Sequence, residues 1–106
     1  MVRDKINVVV LVSGGGTNLQ AILDAEKSGK IAHAKVVAVI SDNPAAYALT
    51  RAEKNGIPFA VVDKKDYSDR AVFENHLRAA IDAFGADLIV LAGFLSILGE
   101  DFVAAY

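Results

Sequence analysis

Three consecutive glycines, Gly14, Gly15 and Gly16, precede Thr17 and Asn18 where a valine-rich run meets a helical pattern. Glycine weakens the interior of a strand or helix by about 0.5–1 kcal/mol, so three together need a reason. A strand-to-helix turn presents unpaired N–H groups and the positive end of the helix dipole, which suits an anion. Glycines let an anion reach the backbone, and the two polar side chains can hydrogen-bond it or cap the helix. This pattern favours phosphate binding, with an unliganded turn as the alternative.

Two known motifs can be tested by counting from Gly14. The phosphate-binding pattern GxxxxGK[ST] fails, because Leu19 stands where its second glycine belongs and no lysine follows. The dinucleotide pattern GxGxxG is met at Gly14 and Gly16, but Leu19 replaces the third glycine, which allows a helix to pack closely on a strand. Asp42, at the end of the second predicted strand, could bind a ribose hydroxyl. A dinucleotide ligand therefore stays open as an alternative.

The other candidate residues do not form a catalytic or metal-binding pattern. His33 falls in a polar turn and His76 beside the apolar stripe of a helix, and neither has the partners of a catalytic triad. The sequence has no cysteine, which excludes disulfides and thiolate metal sites. We expect Tyr47 to pack against the sheet rather than to contact a base. The sequence therefore predicts no catalytic residue and no metal site.

Alternating strand and helix patterns position the glycine loop. Continuous apolar runs are typical of strands buried on both faces, and apolar residues at i, i+3 and i+4 predict helices between them. Asn43 is the predicted N-cap of the second helix, and Pro58 suggests that the third strand lies at an edge. The predicted elements are strands at 6–12, 34–40, 57–63 and 87–93, helices from Thr17 or Asn18 to Lys27, from Pro44 to Gly56 and from near Ser68 to Gly85, and a partly helical tail at 100–106.

This order of elements, βαβαβαβ, predicts an α/β fold. We expect a three-layer, Rossmann-like open parallel sheet of four strands in the order 3-2-1-4, formed by residues 1–106 as a single domain. In such sheets ligands bind beyond the carboxyl ends of the strands, near the point where the strand order reverses. The glycine loop lies there, and so does the segment AGFLSIL after the fourth strand.

Composition narrows the class of protein. The chain has 106 residues, of which 54% are hydrophobic and 23% charged, enough for one folded domain with a core. No apolar run approaches the roughly 20 residues of a membrane span, and the apolar N-terminal run leads into the glycines without a cleavage site. The net charge is −2 with scattered basic residues, which argues against nucleic acid. We expect a cytoplasmic protein that binds small molecules, with no nucleic-acid or membrane partner.

Three segments resemble glycinamide ribonucleotide (phosphoribosylglycinamide) formyltransferase, a folate-dependent enzyme family of purine biosynthesis. They are VVVLVSGGGTNLQAIL, VISDNPAAYALTRAEKNGIP and DLIVLAGFLSIL, and they occur in the family's order across essentially the whole chain. The resemblance implies transfer of a formyl group from formyltetrahydrofolate, as co-substrate, to the glycinamide amine of a ribose phosphate. It implies substrate binding by Gly15, Gly16, Thr17 and Asn18, and folate binding by Arg70, Leu95, Ser96, Ile97 and Leu98.

The sequence departs from the family pattern at two places. Many family members have a basic residue where this chain has Ser96, so side-chain contacts at that position are not carried over. The family's catalytic segment, Asn-x-His-Pro-Ser, follows the position of Tyr106, and its catalytic aspartate lies further on. Proton transfer from the amine and stabilisation of the oxyanion depend on such residues. We therefore expect this chain to be the substrate-binding, amino-terminal half of a formyltransferase, inactive by itself.

Two other classes of function stay open beside the formyltransferase half. One is a Rossmann module that binds a dinucleotide. The other is a non-catalytic docking domain, because an uncovered apolar edge at the strand DLIVLAG would be a template for association. On the same ground we expect the isolated chain to form a homodimer, or to exchange segments, through the fourth strand or the tail.

Overall fold

The computed structural model describes residues 6–31 and 33–94 and shows one four-stranded parallel sheet. Numbered along the chain, the strands lie in the order 3-2-1-4, which confirms the predicted order and the edge position of the third strand. The predicted tail at 100–106 lies outside the described residues. In chain order the elements are β1 (Ile6–Val12), α1 (Thr17–Lys27), β2 (Ala34–Ser41), α2 (Tyr47–Lys54), β3 (Phe59–Val61), a 3₁₀ turn (Lys64–Asp66), α3 (Arg70–Ala83) and β4 (Leu88–Leu91).

The sheet is covered on both faces, which explains the continuous apolar run of β1. Val8, Val10 and Val12 pack in one core cluster with residues of α1 and α2. Val9 and Leu11 pack in a second cluster with residues of α3 on the other face. Successive side chains of a strand point to opposite faces, so a strand buried on both faces needs apolar residues at every position. The three-layer, Rossmann-like architecture is confirmed.

The prediction for the start of the second helix was wrong. α2 begins at Tyr47 with Ala46 as its N-cap, three residues after the predicted start at Pro44. The Asn43 side chain accepts a hydrogen bond from the N–H of Ala45 at 3.0 Å, which makes a local turn. A side-chain turn of this kind competes with the start of a helix. The Asn43 side chain also donates a hydrogen bond to the loop after β1.

The two outer strands are shorter than predicted. β3 spans three residues and β4 four, whereas the sequence predicted 57–63 and 87–93. Among the strands that the structure describes, each pairs with a single neighbour, so fewer of its backbone groups belong to a ladder. The side chains of Leu88 and Leu91 on β4 are 50% and 56% exposed.

Among the described residues, no helix is both long enough and apolar enough to cross a membrane.

Candidate functional site

Gly16 is the residue at which the loop after β1 becomes helix α1. It is the N-cap of α1 and has a φ of 79°, a left-handed conformation that favours glycine. A Cβ added there would lie 2.7 Å from Cβ and 2.8 Å from Cα of Ala48 in α2. Glycine is therefore required at this position both by backbone conformation and by the close approach of α2.

Gly14 and Gly15 differ from Gly16 in both respects. Neither has a positive φ, and an added Cβ would meet no atom within 4 Å at either position. Both residues are exposed. Nothing in the fold of the described residues requires glycine at these two positions, and the space beside them is open to an incoming ligand.

The carbonyl groups of the loop are all bound within the protein. The oxygen of Ser13 accepts a hydrogen bond from the Asn43 side chain at 3.2 Å. The oxygen of Gly14 accepts one from the N–H of Ala48 at 3.0 Å, and that of Gly15 accepts one from Nε of Arg51 at 2.7 Å. The oxygen of Gly16 accepts the first α1 hydrogen bond, from the N–H of Gln20 at 2.8 Å. The acceptor side of the loop is thus occupied by the segment from β2 to α2 and by α1 itself.

The donor side of the loop is left to the N-terminus of α1. Among the described residues no side-chain cap is present at this helix end, and the first turn has no acidic residue. Thr17 and Asn18, the first two residues of the helix, are exposed. Unpaired N–H groups and the positive end of the helix dipole therefore face solvent beside the open glycines. This arrangement can accept an anion such as a phosphate.

The structure brings together part of the predicted site. Gly15, Gly16, Thr17 and Asn18 form one continuous surface at the carboxyl edge of the sheet. Arg70 is exposed and is the first residue of α3, which also begins at this edge. The four other predicted folate contacts, at 95–98, lie outside the described residues.

The structure gives no support to the dinucleotide alternative. Leu19, at the position of the missing third glycine, is fully buried in the core between α1 and the sheet. In that motif a glycine at this position allows close helix–strand contact, whereas this chain has a buried leucine side chain there. Asp42 is only 2% exposed and lines a polar cleft of about 170 Å³ with Ser13 and Lys65. Within residues 6–31 and 33–94, no cluster of His, Asp or Glu could hold a metal ion.

The sequence patterns did not indicate a role for Arg51. The expectation that Tyr47 packs against the sheet was wrong. Tyr47 is 45% exposed instead of packing against the sheet. Its ring centroid lies 5.1 Å from the guanidinium carbon of Arg51 and 5.9 Å from Nζ of Lys54. The apolar pattern of α2 places these residues on its outer face. However, no local pattern shows that one of them reaches a carbonyl 36 residues earlier in the chain.

These features define an α/β protein with a Rossmann-like sheet and an anion-accepting loop between its first strand and first helix. A family model described as "Formyl transferase" matches residues 6–106. The chain belongs to the formyl transferase family, as the three sequence segments suggested.

Similar proteins agree with this assignment. The phosphoribosylglycinamide formyltransferase of Escherichia coli K12 is 42% identical over 101 residues, covering 95% of this chain and 47% of the relative. The trifunctional purine biosynthetic protein adenosine-3 of Drosophila melanogaster is 45% identical over 97 residues, covering 91% of this chain and 7% of that protein. A solved phosphoribosylglycinamide formyltransferase from Coxiella burnetii superimposes with a TM-score of 0.91 at 43% identity, over 96% of this chain and 47% of that one. The chain thus spans about half the length of its single-enzyme relatives, and far less of the trifunctional protein.

Proposed function

We propose that residues 1–106 form the phosphoribosyl-binding half of a phosphoribosylglycinamide formyltransferase. The loop carries the proposal: its carbonyls at 13–16 are hydrogen-bonded within the protein, while the N-terminus of α1 has no side-chain cap in the part of the chain that the structure describes. Such a loop favours a phosphate, and the E. coli relative is named for a phosphoribosyl substrate. The proposed contacts to the phosphate of glycinamide ribonucleotide are Gly15, Gly16, Thr17 and Asn18. We propose that this half folds as a single domain and works in the cytoplasm.

The formyl donor is proposed to be formyltetrahydrofolate, bound as a co-substrate. Arg70 is exposed in the first turn of α3, at the edge of the sheet where the glycine loop lies. A guanidinium at this place can form a charge-assisted pair with a carboxylate of the folate. The remaining proposed folate contacts are Leu95, Ser96, Ile97 and Leu98.

The 106-residue chain, assayed by itself, is proposed to bind substrate without transferring the formyl group. The attacking amine must lose a proton and the tetrahedral oxyanion needs hydrogen-bond donors. His33 precedes β2, and its carbonyl accepts from the N–H of Ile6, at the edge opposite the glycine loop. His76 lies in α3, with its ring 5.0 Å from that of Tyr67. Within the part of the chain that the structure describes, neither histidine belongs to the loop.

The experiment that tests the proposal is a titration of the chain with ribose 5-phosphate and with glycinamide ribonucleotide, followed by backbone amide NMR. We expect the largest shifts at residues 15–18, with ribose as the control that lacks a phosphate. A folded chain whose loop amides respond to neither phosphate compound would contradict the proposal. Equal shifts with the control ribose, which lacks a phosphate, would show that the loop does not recognise the phosphate group.

A second proposal concerns association of the chain with a copy of itself. Among the described strands β4 pairs with β1 alone, and its residues Leu88 and Leu91 are about half exposed. An apolar edge strand of this kind is a template for pairing with another strand. We propose that the isolated chain forms a homodimer through β4 or the tail. Light scattering at high concentration should show a dimer mass that Leu88→Lys lowers, and a monomer at all concentrations would refute it.

A further inference from the structure

Arg51 connects three parts of the structure around the glycine loop. Its Nε donates to the carbonyl oxygen of Gly15 at 2.7 Å, and its Nη1 donates to Oε1 of Gln20 in α1 at 3.4 Å. Its guanidinium carbon lies 5.1 Å from the centroid of the Tyr47 ring, at a distance typical of cation–π contacts. The side chain is half-buried in this arrangement.

We propose that Arg51 is a positioning residue of the phosphate loop, an inference that rests on the proposed function. The peptide between Gly15 and Gly16 is trans and planar, so its carbonyl and its N–H point in opposite directions. Because Arg51 holds the carbonyl of Gly15 toward α2, the N–H of Gly16 points away from α2. The bond from the N–H of Ala48 to the carbonyl of Gly14 turns the N–H of Gly15 away in the same manner.

An arginine suits this role better than a shorter or more flexible donor. Its Nε is the part of the guanidinium nearest the backbone, while the rest of the planar group is held by Gln20 and by the Tyr47 ring. Gln20 is fixed in turn by donating from Nε2 to Asp24 at 2.9 Å. The Cδ of Arg51 lies 3.1 Å from where a Cβ of Gly16 would be, so its stem also packs on the loop. The loop is thus preorganised before a ligand arrives, which lowers the ordering cost of binding.

Two substitutions at one position separate the hydrogen bond from the charge. In Arg51→Gln the side-chain amide nitrogen lies as many bonds from the backbone as Nε, so a neutral donor remains. In Arg51→Met a methyl group stands there instead, and the charge is lost equally. Lys54→Met is the matched control, because Lys54 is a cation on the same face of α2 near the Tyr47 ring and makes no hydrogen bond to the loop. All variants are compared below the midpoint of their own thermal unfolding.

The dissociation constant of ribose 5-phosphate and the Gly16 amide shift of the free chain are the two readouts. We expect about tenfold weaker binding for Arg51→Met, about threefold for Arg51→Gln and less than about twofold for Lys54→Met. The Gly16 amide of the free chain should move in Arg51→Met and much less in the other two. A role confined to fold stability would lower the unfolding temperature without changing either readout.

Two results would overturn the inference. One is binding by Arg51→Met equal to that of the unsubstituted chain. The other is equal weakening in the Met and Gln variants, which would assign the effect to charge alone. If the unsubstituted chain does not bind ribose 5-phosphate, the proposed function fails. The Gly16 shift then still decides whether Arg51 sets the loop conformation.

Discussion

The N-termini of α1 and α3 lie at the same edge of the sheet but differ in their helix caps. α3 is preceded by Asp69, whose carboxylate accepts a hydrogen bond from the N–H of Ala71 at 2.8 Å. α1 is preceded by Gly16, which has no side chain to offer, and within residues 6–31 and 33–94 no side-chain cap is present at this end of the helix. A carboxylate at an N-terminus satisfies an unpaired N–H and complements the helix dipole. The positive end of the α3 dipole is therefore complemented by a carboxylate of the same chain, whereas that of α1 is left open to a ligand.

The difference shows how the glycine loop can be ordered without a cap. A capping side chain is worth about 1 kcal/mol, and α1 forgoes it. The loop is fixed from its other side, through carbonyls bound by Asn43, Ala48 and Arg51. Those bonds leave the N–H groups unused, whereas a cap would have occupied them. Three predictions test this contrast, in order of decreasing effect.

Gly16→Ala should produce the largest change, because it affects both backbone conformation and packing. A left-handed φ costs a residue other than glycine on the order of 1–2 kcal/mol, and the contact with Ala48 adds about as much. We expect a loss of about 3 kcal/mol in the free energy of unfolding, measured with urea. Gly29→Ala is the control, since Gly29 has a φ of 81° with open space around it. A similar loss in both variants would contradict the role of the contact with α2.

Gly15→Ala should separate binding from stability. The position has no positive φ and no neighbouring atom near an added Cβ, so we expect the free energy of unfolding to stay within about 0.5 kcal/mol or to rise slightly. If a phosphate approaches this backbone closely, the methyl group should weaken ribose 5-phosphate binding about tenfold, or about 1.4 kcal/mol. Calorimetry on both proteins measures the two quantities. Unchanged affinity would mean that Gly15 leaves space that no ligand uses.

Asp69→Ala should show the converse behaviour at α3. Loss of the cap should lower the free energy of unfolding by about 1 kcal/mol, while the affinity for ribose 5-phosphate stays unchanged. Asp69→Asn is the matched variant, because asparagine caps helices about as well as aspartate. We expect it to restore stability to within a few tenths of 1 kcal/mol. Weaker binding in the alanine variant would show that the two N-termini are not independent.

The central elements β1 and α1 could be predicted from the sequence because their signals are local and agree with one another. The bounds of β1 and α1 match the prediction. Gly56 and Gly85, which the sequence predicted at helix ends, have the positive φ values that glycines commonly adopt there. The strand order followed from the alternation of strands and helices, whose crossovers have one preferred hand. The start of α2 could not be predicted this way, because Asn43 serves the loop after β1 instead of a helix cap.

By itself the sequence determined the sheet and the place of the glycine loop, because apolar periodicity and turn residues act over a few neighbouring positions. The family followed from the resemblance of three segments of the sequence. Only the tertiary structure distinguished the glycines within that loop. At Gly16 an added Cβ would clash with Ala48, whereas at Gly14 and Gly15 it would meet no atom within 4 Å. Only the tertiary structure revealed Arg51, whose contact with Gly15 joins residues 36 positions apart. Such contacts depend on how two helices meet over the sheet, and no short stretch of sequence specifies that meeting.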